Sequence, residues 1–285
     1  MKSLIVAADD FGLAKSINQG IIKAYKEGII TSINYMPSGD DFRDALELAE
    51  DIDIKEIGAH LSLTETSPVT DPKLIPSLIA KDGRFYKGRA DFVTRLFTGK
   101  ISYQEVYLEL RNQLEALGKT GLKISALNSH EHMHMLPSIL NVFIRLAKEY
   151  DISFIRSLDT DMIHKPMTFS KIYKLLIINS LGKSMRRSIK EAGVISADNF
   201  IGFLDSGKID EDILADIIRN LKKGVTELIC HPGFLSRQVL EKFKFYINCE
   251  RELYALTSPN VKKLIKGTDI RFITYGYNTV KKDTL

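Results

Sequence analysis

Five of the six histidines in this chain fall at or just after the ends of runs that read as strands, and His164 is the exception. Three of the five alternate through His130-Glu131-His132-Met133-His134. Neutral imidazole is a common ligand for borderline divalent metals, and a carboxylate with two histidines leaves coordination positions open. Carboxylates are at hand in Asp9-Asp10, two residues before the turn residue Gly12. One could bind a metal while the other takes a proton; the plainer reading is a local cap where a strand gives way to a turn. His60, in Gly58-Ala59-His60-Leu61-Ser62-Leu63, reads by itself as a hydrogen-bonded core histidine or as a ligand. His231 precedes Pro232-Gly233; an imidazole is a residue type suited to general acid work, and the position equally suits the mouth of a turn. Arg156 could orient Asp9 by paired hydrogen bonds or form a surface ion pair.

The histidine cluster fits the letter of the HExxH pattern, but Pro137 and the preceding strand leave too little helix to hold it. On a strand all three imidazoles would face one way; on a helix only His130 and His134 would. The Cys230-His231 neighbours invite a Cys–His nucleophile. Adjacent strand residues face opposite sides, however, so Cys230 is expected against the barrel wall.

These residues need a scaffold that gathers strand ends. Short apolar runs read as strands at Ser3 to Ala8, Ile29 to Met36, Ile57 to Leu63, Ile124 to Asn128, Ile152 to Arg156, Asn199 to Phe203, Glu227 to Cys230 and Arg271 to Thr274. Helical spacing falls between them: Ile17 to Tyr25 with Gly28 as a stop, Asp41 to Glu50, Ser102 to Gly118, Pro137 to Glu149, Ser170 to Ala192, Asp210 to Lys222 and Cys249 to Leu256. Ser102 and Glu105 have the spacing of a capping box. Lys171, Lys174, Lys183, Arg186, Arg187 and Lys190 read as the solvated face of their helix, with Leu175, Ile178 and Leu181 as core. The alternation predicts an α/β fold, a single-domain TIM-like β/α barrel over residues 1–285, distorted or incomplete, with mostly parallel strands. A doubly wound open sheet is the alternative, without a Rossmann motif. A loop-rich insertion at about 64–100, with Pro68, Pro72, Pro76, Gly83 and Gly88 in its first part, has the length of a functional loop. In such barrels the carboxyl ends of the strands share the face that carries chemistry.

Composition narrows the classes. At 285 residues, with 44% hydrophobic and 27% charged residues, the chain is an ordinary globular one. No run of 18 apolar residues occurs, so no membrane partner is expected. A net charge of +4 gives no case for nucleic acid. Two cysteines and no signal-peptide pattern point to a reducing, cytoplasmic setting. No single apolar stripe marks an interface, and homo-oligomerisation is left open.

Several stretches together resemble one family, the YdjC-like carbohydrate deacetylases. They are Val6-Ala7-Ala8-Asp9-Asp10-Phe11-Gly12-Leu13; Gly58-Ala59-His60-Leu61-Ser62-Leu63-Thr64; Ile75-Pro76-Ser77-Leu78 with Asp82-Gly83-Arg84-Phe85; Asn128-Ser129-His130-Glu131-His132-Met133-His134; Glu227-Leu228-Ile229-Cys230-His231-Pro232-Gly233; and Arg251-Glu252-Leu253 with Leu256-Thr257-Ser258. They run in the family's order over nearly the whole chain. The resemblance implies a β/α barrel and one divalent metal ion, magnesium or zinc first among candidates. It implies Asp10, His60 and His130 as ligands, Asp9 as general base and His231 as general acid. The implied reaction removes N-acetyl groups from amino sugars, with chitin-derived oligosaccharides as the best-known substrates. His134 and Arg156 are expected to touch substrate or to support the groups that do. Asn128 departs from the family's frequent Asp and could retune a contact behind the ligands. Two alternatives stand beside this: another metal hydrolase, such as a phosphoesterase, and a sugar-binding protein without turnover. A binder needs the ligands but not the base, so the presence of Asp9 favours the enzyme.

Overall fold

The computed structural model of the chain describes residues 1–50, 52, 54–159 and 169–280, with 169–177 described by backbone alone. His164 and the side chains of Lys171, Lys174 and Leu175 lie outside the described residues. The elements are β1 (Lys2–Phe11), α1 (Lys15–Glu27), β2 (Ser32–Tyr35), α2 (Phe42–Ala49), β3 (Glu56–Leu61), α3 (Arg89–Phe97), α4 (Tyr103–Gly118), β4 (Lys123–Ser129) and α5 (Pro137–Glu149). They continue with β5 (Phe154–Ile155), α6 (Phe169–Glu191), β6 (Asn199–Ile201), α7 (Glu211–Arg219), β7 (Gly224–Cys230), α8 (Arg237–Lys242), α9 (Cys249–Thr257), α10 (Pro259–Lys266) and β8 (Arg271–Phe272).

The strands form one sheet in the order β5-β4-β3-β2-β1-β7-β6, and each ladder between them is parallel. β8 pairs with the amino end of β1 through Ser3 and Leu4, while β2 pairs further along, from Ala7 onward. No ladder joins β5 to β6 among the described residues; one parallel bridge, Phe154 to Ile195, reaches from the β5 edge towards the segment before β6. The result is a distorted, incomplete TIM-like barrel with helices around it. No helix among the described residues is long and apolar enough to cross a membrane.

Side-chain alternation sorts β1 into two faces. Leu4, Val6 and Ala8 join the main core beneath the helices. Ile5 and Ala7 face inward with Ala126, Phe154, Ala197, Ile273 and Tyr275. Carried two residues on, the inward parity of Ala7 falls on Asp9, that of Phe154 on Arg156 and that of Ala126 on Asn128. The packing of the small inner cluster therefore sets which polar residues reach the cleft. Outside, α1, α4 and α5 turn apolar stripes to the sheet, such as Ile17, Ile21 and Ala24, or Val106, Leu110, Leu114 and Leu117.

Several details differ from the sequence expectations. β2 begins at Ser32 rather than Ile29, and α3, α8 and α10 are additional helices. The capping box does not form: the Glu105 carboxylate accepts the Ser77 N–H at 2.7 Å, and the Ser102 N–H donates to Ser77 Oγ at 2.9 Å. Both groups thus bind the inserted loop. That loop is packed into place, with Ile75, Leu78 and Phe85 buried. Glu109 on α4 accepts the N–H groups of Val69 and Thr70, each at 3.0 Å. On α6, Ile178 is buried, Leu181 is half-buried, and Lys183, Arg187 and Lys190 are exposed.

Candidate active site

Asp9 and Asp10 end up in the same cleft because the chain turns between them. Asp10 has φ +68°, in the left-handed region that Asp tolerates better than most residues. Asp10 Oδ1 lies 3.0 Å from His60 Nε2 and 2.8 Å from His130 Nδ1, and all three residues are buried. One donor atom from each falls within 4.8 Å of the others, an arrangement able to hold a metal ion. The second nitrogen of each imidazole also faces an acceptor: His60 Nδ1 meets Asn128 Oδ1, and His130 Nε2 meets Glu65 Oε2 at 3.1 Å. Ligating histidines characteristically donate their remote N–H in this way, which sets the tautomer and the ring plane. Burial works against charge on Asp10, yet His130 and His60 outweigh it and hold the carboxyl well below the usual range. Burial is likewise outweighed at His130, where Asp10 and Glu65 hold the imidazole up at about 10. A divalent ion on these atoms would displace that proton, so binding and proton release are linked.

The histidine cluster is neither strand nor helix of one hand. Glu131 and His132 have φ of +50° and +56° inside a 3-10 turn over His130–Met135, so the three imidazoles part company. His132 packs on Phe203 and Phe200, with ring centroids 5.2 and 5.9 Å away. His134 lies on Phe143, and its Nδ1 is 2.5 Å from Ser129 Oγ, next to the start of the turn. Burial, reinforced by Arg156, pushes His132 well below the ordinary imidazole range and His134 down to about 3, so both are neutral. His134 is fully buried and braces the end of β4.

Arg156 is fully buried and clamps Asp9. Its Nη1 and Nη2 donate to the two Asp9 carboxylate oxygens at 2.7 and 2.9 Å, and its Nε donates to Glu227 Oε1 at 2.7 Å. Asn34 Nδ2 donates to Asp9 Oδ1 at 2.6 Å, and the Tyr275 hydroxyl donates to Glu227 Oε1 at 2.7 Å. Gly58 makes room for Asn34, since a Cβ there would lie 1.8 Å from Asn34 Oδ1. Burial alone would raise the Asp9 carboxyl, but Arg156 lowers it to about 2. Glu227, also fully buried, is raised by desolvation in spite of Arg156. Of the two roles considered for Arg156, the surface ion pair is ruled out, and the guanidinium touches Asp9 rather than an open pocket.

His231 sits at the carboxyl end of β7, with Nε2 4.0 Å from Asp10 Oδ2. Its backbone N–H donates to Glu252 Oε2 at 2.6 Å, and the Tyr246 hydroxyl donates to Asp10 Oδ2. Cys230 points away: its thiol donates to the Ala7 carbonyl at 3.4 Å, it belongs to the core, and burial raises its pKa. The predicted residues thus fall into two adjoining sets, Asp10 with His60 and His130 and with His231 at 4.0 Å, and Asp9 clamped by Arg156, while His132 and His134 stand behind them. Sequence reasoning missed Asn34, Glu65, Tyr246 and Tyr275. It quoted Glu227 and Glu252 only as parts of motifs, and the Glu252 carboxylate proves to anchor His231.

Comparison with known proteins gives a consistent neighbourhood. The family described as "YdjC-like protein" matches residues 3–267. A protein of Brevibacillus brevis named "Carbohydrate deacetylase" is 28% identical over 273 residues, covering 95% of this chain and 98% of its own. One of the same name from Vibrio parahaemolyticus is 30% identical over 277 residues, covering 95% and 94%. A crystal structure from Enterococcus faecalis V583, provisionally named for cellobiose-phosphate cleavage, superposes with a TM-score of 0.75 at 25% identity, over 98% of this chain and 99% of that one.

Proposed function

The chain belongs to the YdjC-like protein family, and on that premise we propose that it is a metal-dependent hydrolase that removes N-acetyl groups from amino sugars or their oligosaccharides. The names of the relatives it matches end to end support the substrate class. The observation that carries the reading is the grouping of Asp10, His60 and His130 at the strand ends, with His231 Nε2 4.0 Å from Asp10 and the clamped Asp9 next to Asp10 in the chain. The donor set fits a divalent ion: one carboxylate oxygen and two imidazole nitrogens, each ring held by an acceptor on its far side. Zinc and magnesium are the leading candidates. Bound there, such an ion supplies Lewis acidity, which lowers the pKa of water and polarises an amide carbonyl.

The chain's own groups do the rest. Arg156 holds Asp9 ionised throughout the neutral range and aims its carboxylate, which accepts the proton of the attacking water. His231 donates a proton to the departing amine of the sugar. Acetate and a free amino sugar leave. Cys230 and Cys249, both free and buried, suit a reducing compartment, and we place the enzyme in the cytoplasm.

The test is acetate release from a panel of N-acetylated mono- and oligosaccharides, with a chelated control and metal add-back. Release that stops on chelation and returns with zinc or magnesium is expected. No release from any member with any divalent ion would overturn the reading.

A further inference from the structure

The wall of the cleft beside His231 is aromatic, and one ring in it faces water. Phe245 lies in the 3-10 turn Lys244–Asn248. Its neighbours Phe243 and Tyr246 are buried, whereas Phe245 is 43% exposed. Its ring meets His231 edge to face, with centroids 4.9 Å apart, and meets Tyr246 in the same manner at 5.2 Å. Behind it is Gly207, at φ +72°, where a Cβ would lie 3.0 Å from Phe245 Cε2. Asn248 Nδ2 donates to the Gly207 carbonyl at 3.1 Å, tying the turn to that loop. The Glu252 carboxylate accepts backbone N–H groups from Ile209, two residues past Gly207, and from His231. One buried anchor therefore holds both the loop behind the ring and the histidine at its edge.

An exposed apolar ring fixed in this way binds without first losing rotamer freedom. A pyranose offers a matching surface, because its C–H groups line one face while its hydroxyl and acetamido groups point outward. The chain has no Trp, the largest aromatic platform, and Phe245 is the exposed ring that stands against His231. Resting on the deacetylase reading above, we propose that Phe245 is a specificity-determining residue, the platform on which the sugar ring bearing the scissile acetamide stacks beside His231.

The experiment compares wild type, Phe245→Ala, Phe245→Leu and Phe245→Trp with the β1,4-linked dimer of N-acetylglucosamine as probe. Binding is followed by calorimetry and acetate release by steady-state kinetics, after circular dichroism has established folding. Leu keeps apolar bulk without a flat face, so it separates stacking from packing. Ala and Leu are expected to raise Kd and KM about five- to ten-fold, with kcat within about two-fold, and Trp to restore or improve binding. Wild-type affinity in folded Ala and Leu variants would overturn the proposal, as would a loss confined to kcat. If wild type binds the dimer without releasing acetate, the deacetylase reading fails for this sugar while the binding series still judges the platform.

Discussion

Replacing Arg156 with Met tests how the cleft tolerates its buried charge. The guanidinium makes two hydrogen bonds to Asp9 and one to Glu227, and none of the three side chains reaches solvent. Asp9 titrates at about 2 in place of 3.8. A carboxyl lowered on folding stabilises the protein above its unfolded pKa and loses that contribution as pH falls through the folded one. The difference corresponds to about 2 kcal/mol at neutral pH. Methionine fills much of the volume but leaves Asp9 and Glu227 without a counter-charge. Burial then dominates at Asp9, its pKa rises above 3.8, and the sign reverses, so that ionised Asp9 costs stability at neutral pH and protonation relieves it. Removing one partner of a buried pair costs about 3–5 kcal/mol, a melting-temperature drop of roughly 6–20 °C. Urea unfolding of both proteins at about pH 7.5 and about pH 5 measures it, and the gap is expected to shrink by about 1 kcal/mol or more at the lower pH. Adding Glu227→Gln should recover part of the loss. A gap under about 1 kcal/mol, or one indifferent to pH, would refute the account of a clamp on two buried carboxylates.

Three further perturbations separate the groups around Asp10. On the proposed reading, Asp9→Asn should still take up an added divalent ion, read by metal analysis after dialysis, and lower turnover by about 10²–10⁴. His60→Ala should lose the ion itself; a variant that kept both ion and rate would remove His60 from the ligand set. Asn128→Asp should tighten the ion by about ten-fold or more, because a charged acceptor on His60 Nδ1 makes the opposite nitrogen a better donor. Competition against a chromophoric chelator measures it, and unchanged or weaker binding would count against that contact.

The strand ends were legible because parallel β/α alternation obliges them to share a face, whatever their separation in the chain. Asp10, His60 and His130 were named as a set only through the resemblance of their local motifs to the YdjC-like family, and the structure brings these three together. The behaviour of His132 and His134 could not, because the left-handed backbone at Glu131 and His132 breaks both periodicities on which the sequence argument rested. Arg156 was balanced between two roles that only burial separates. Glu65, Asn34 and Tyr275 carry no local pattern; each matters through a partner 65, 25 or 48 positions away. α10 did leave a sign, for Ser258 caps it and Pro259 takes its first position, a pairing of helix-start residues that the reading passed over. The apparent capping box misled for the opposite reason: its two residues were present, and the inserted loop claimed both.

The seat of Tyr275 gives the cleft a place in time. Its hydroxyl completes the buried group around Arg156 and Glu227, and it stands just past β8, which closes against the start of β1. A ribosome adds about 5–20 residues per second, so Asp9 emerges between roughly ten seconds and a minute before Tyr275. Throughout that interval the nascent chain can lay down the β1–β2 and β3–β4 ladders. The last hydrogen bond of the charged interior must wait for the final strand. Assembly of the reactive face is therefore coupled to the synthesis of Tyr275, and chains halted before it should stand out as protease-sensitive products.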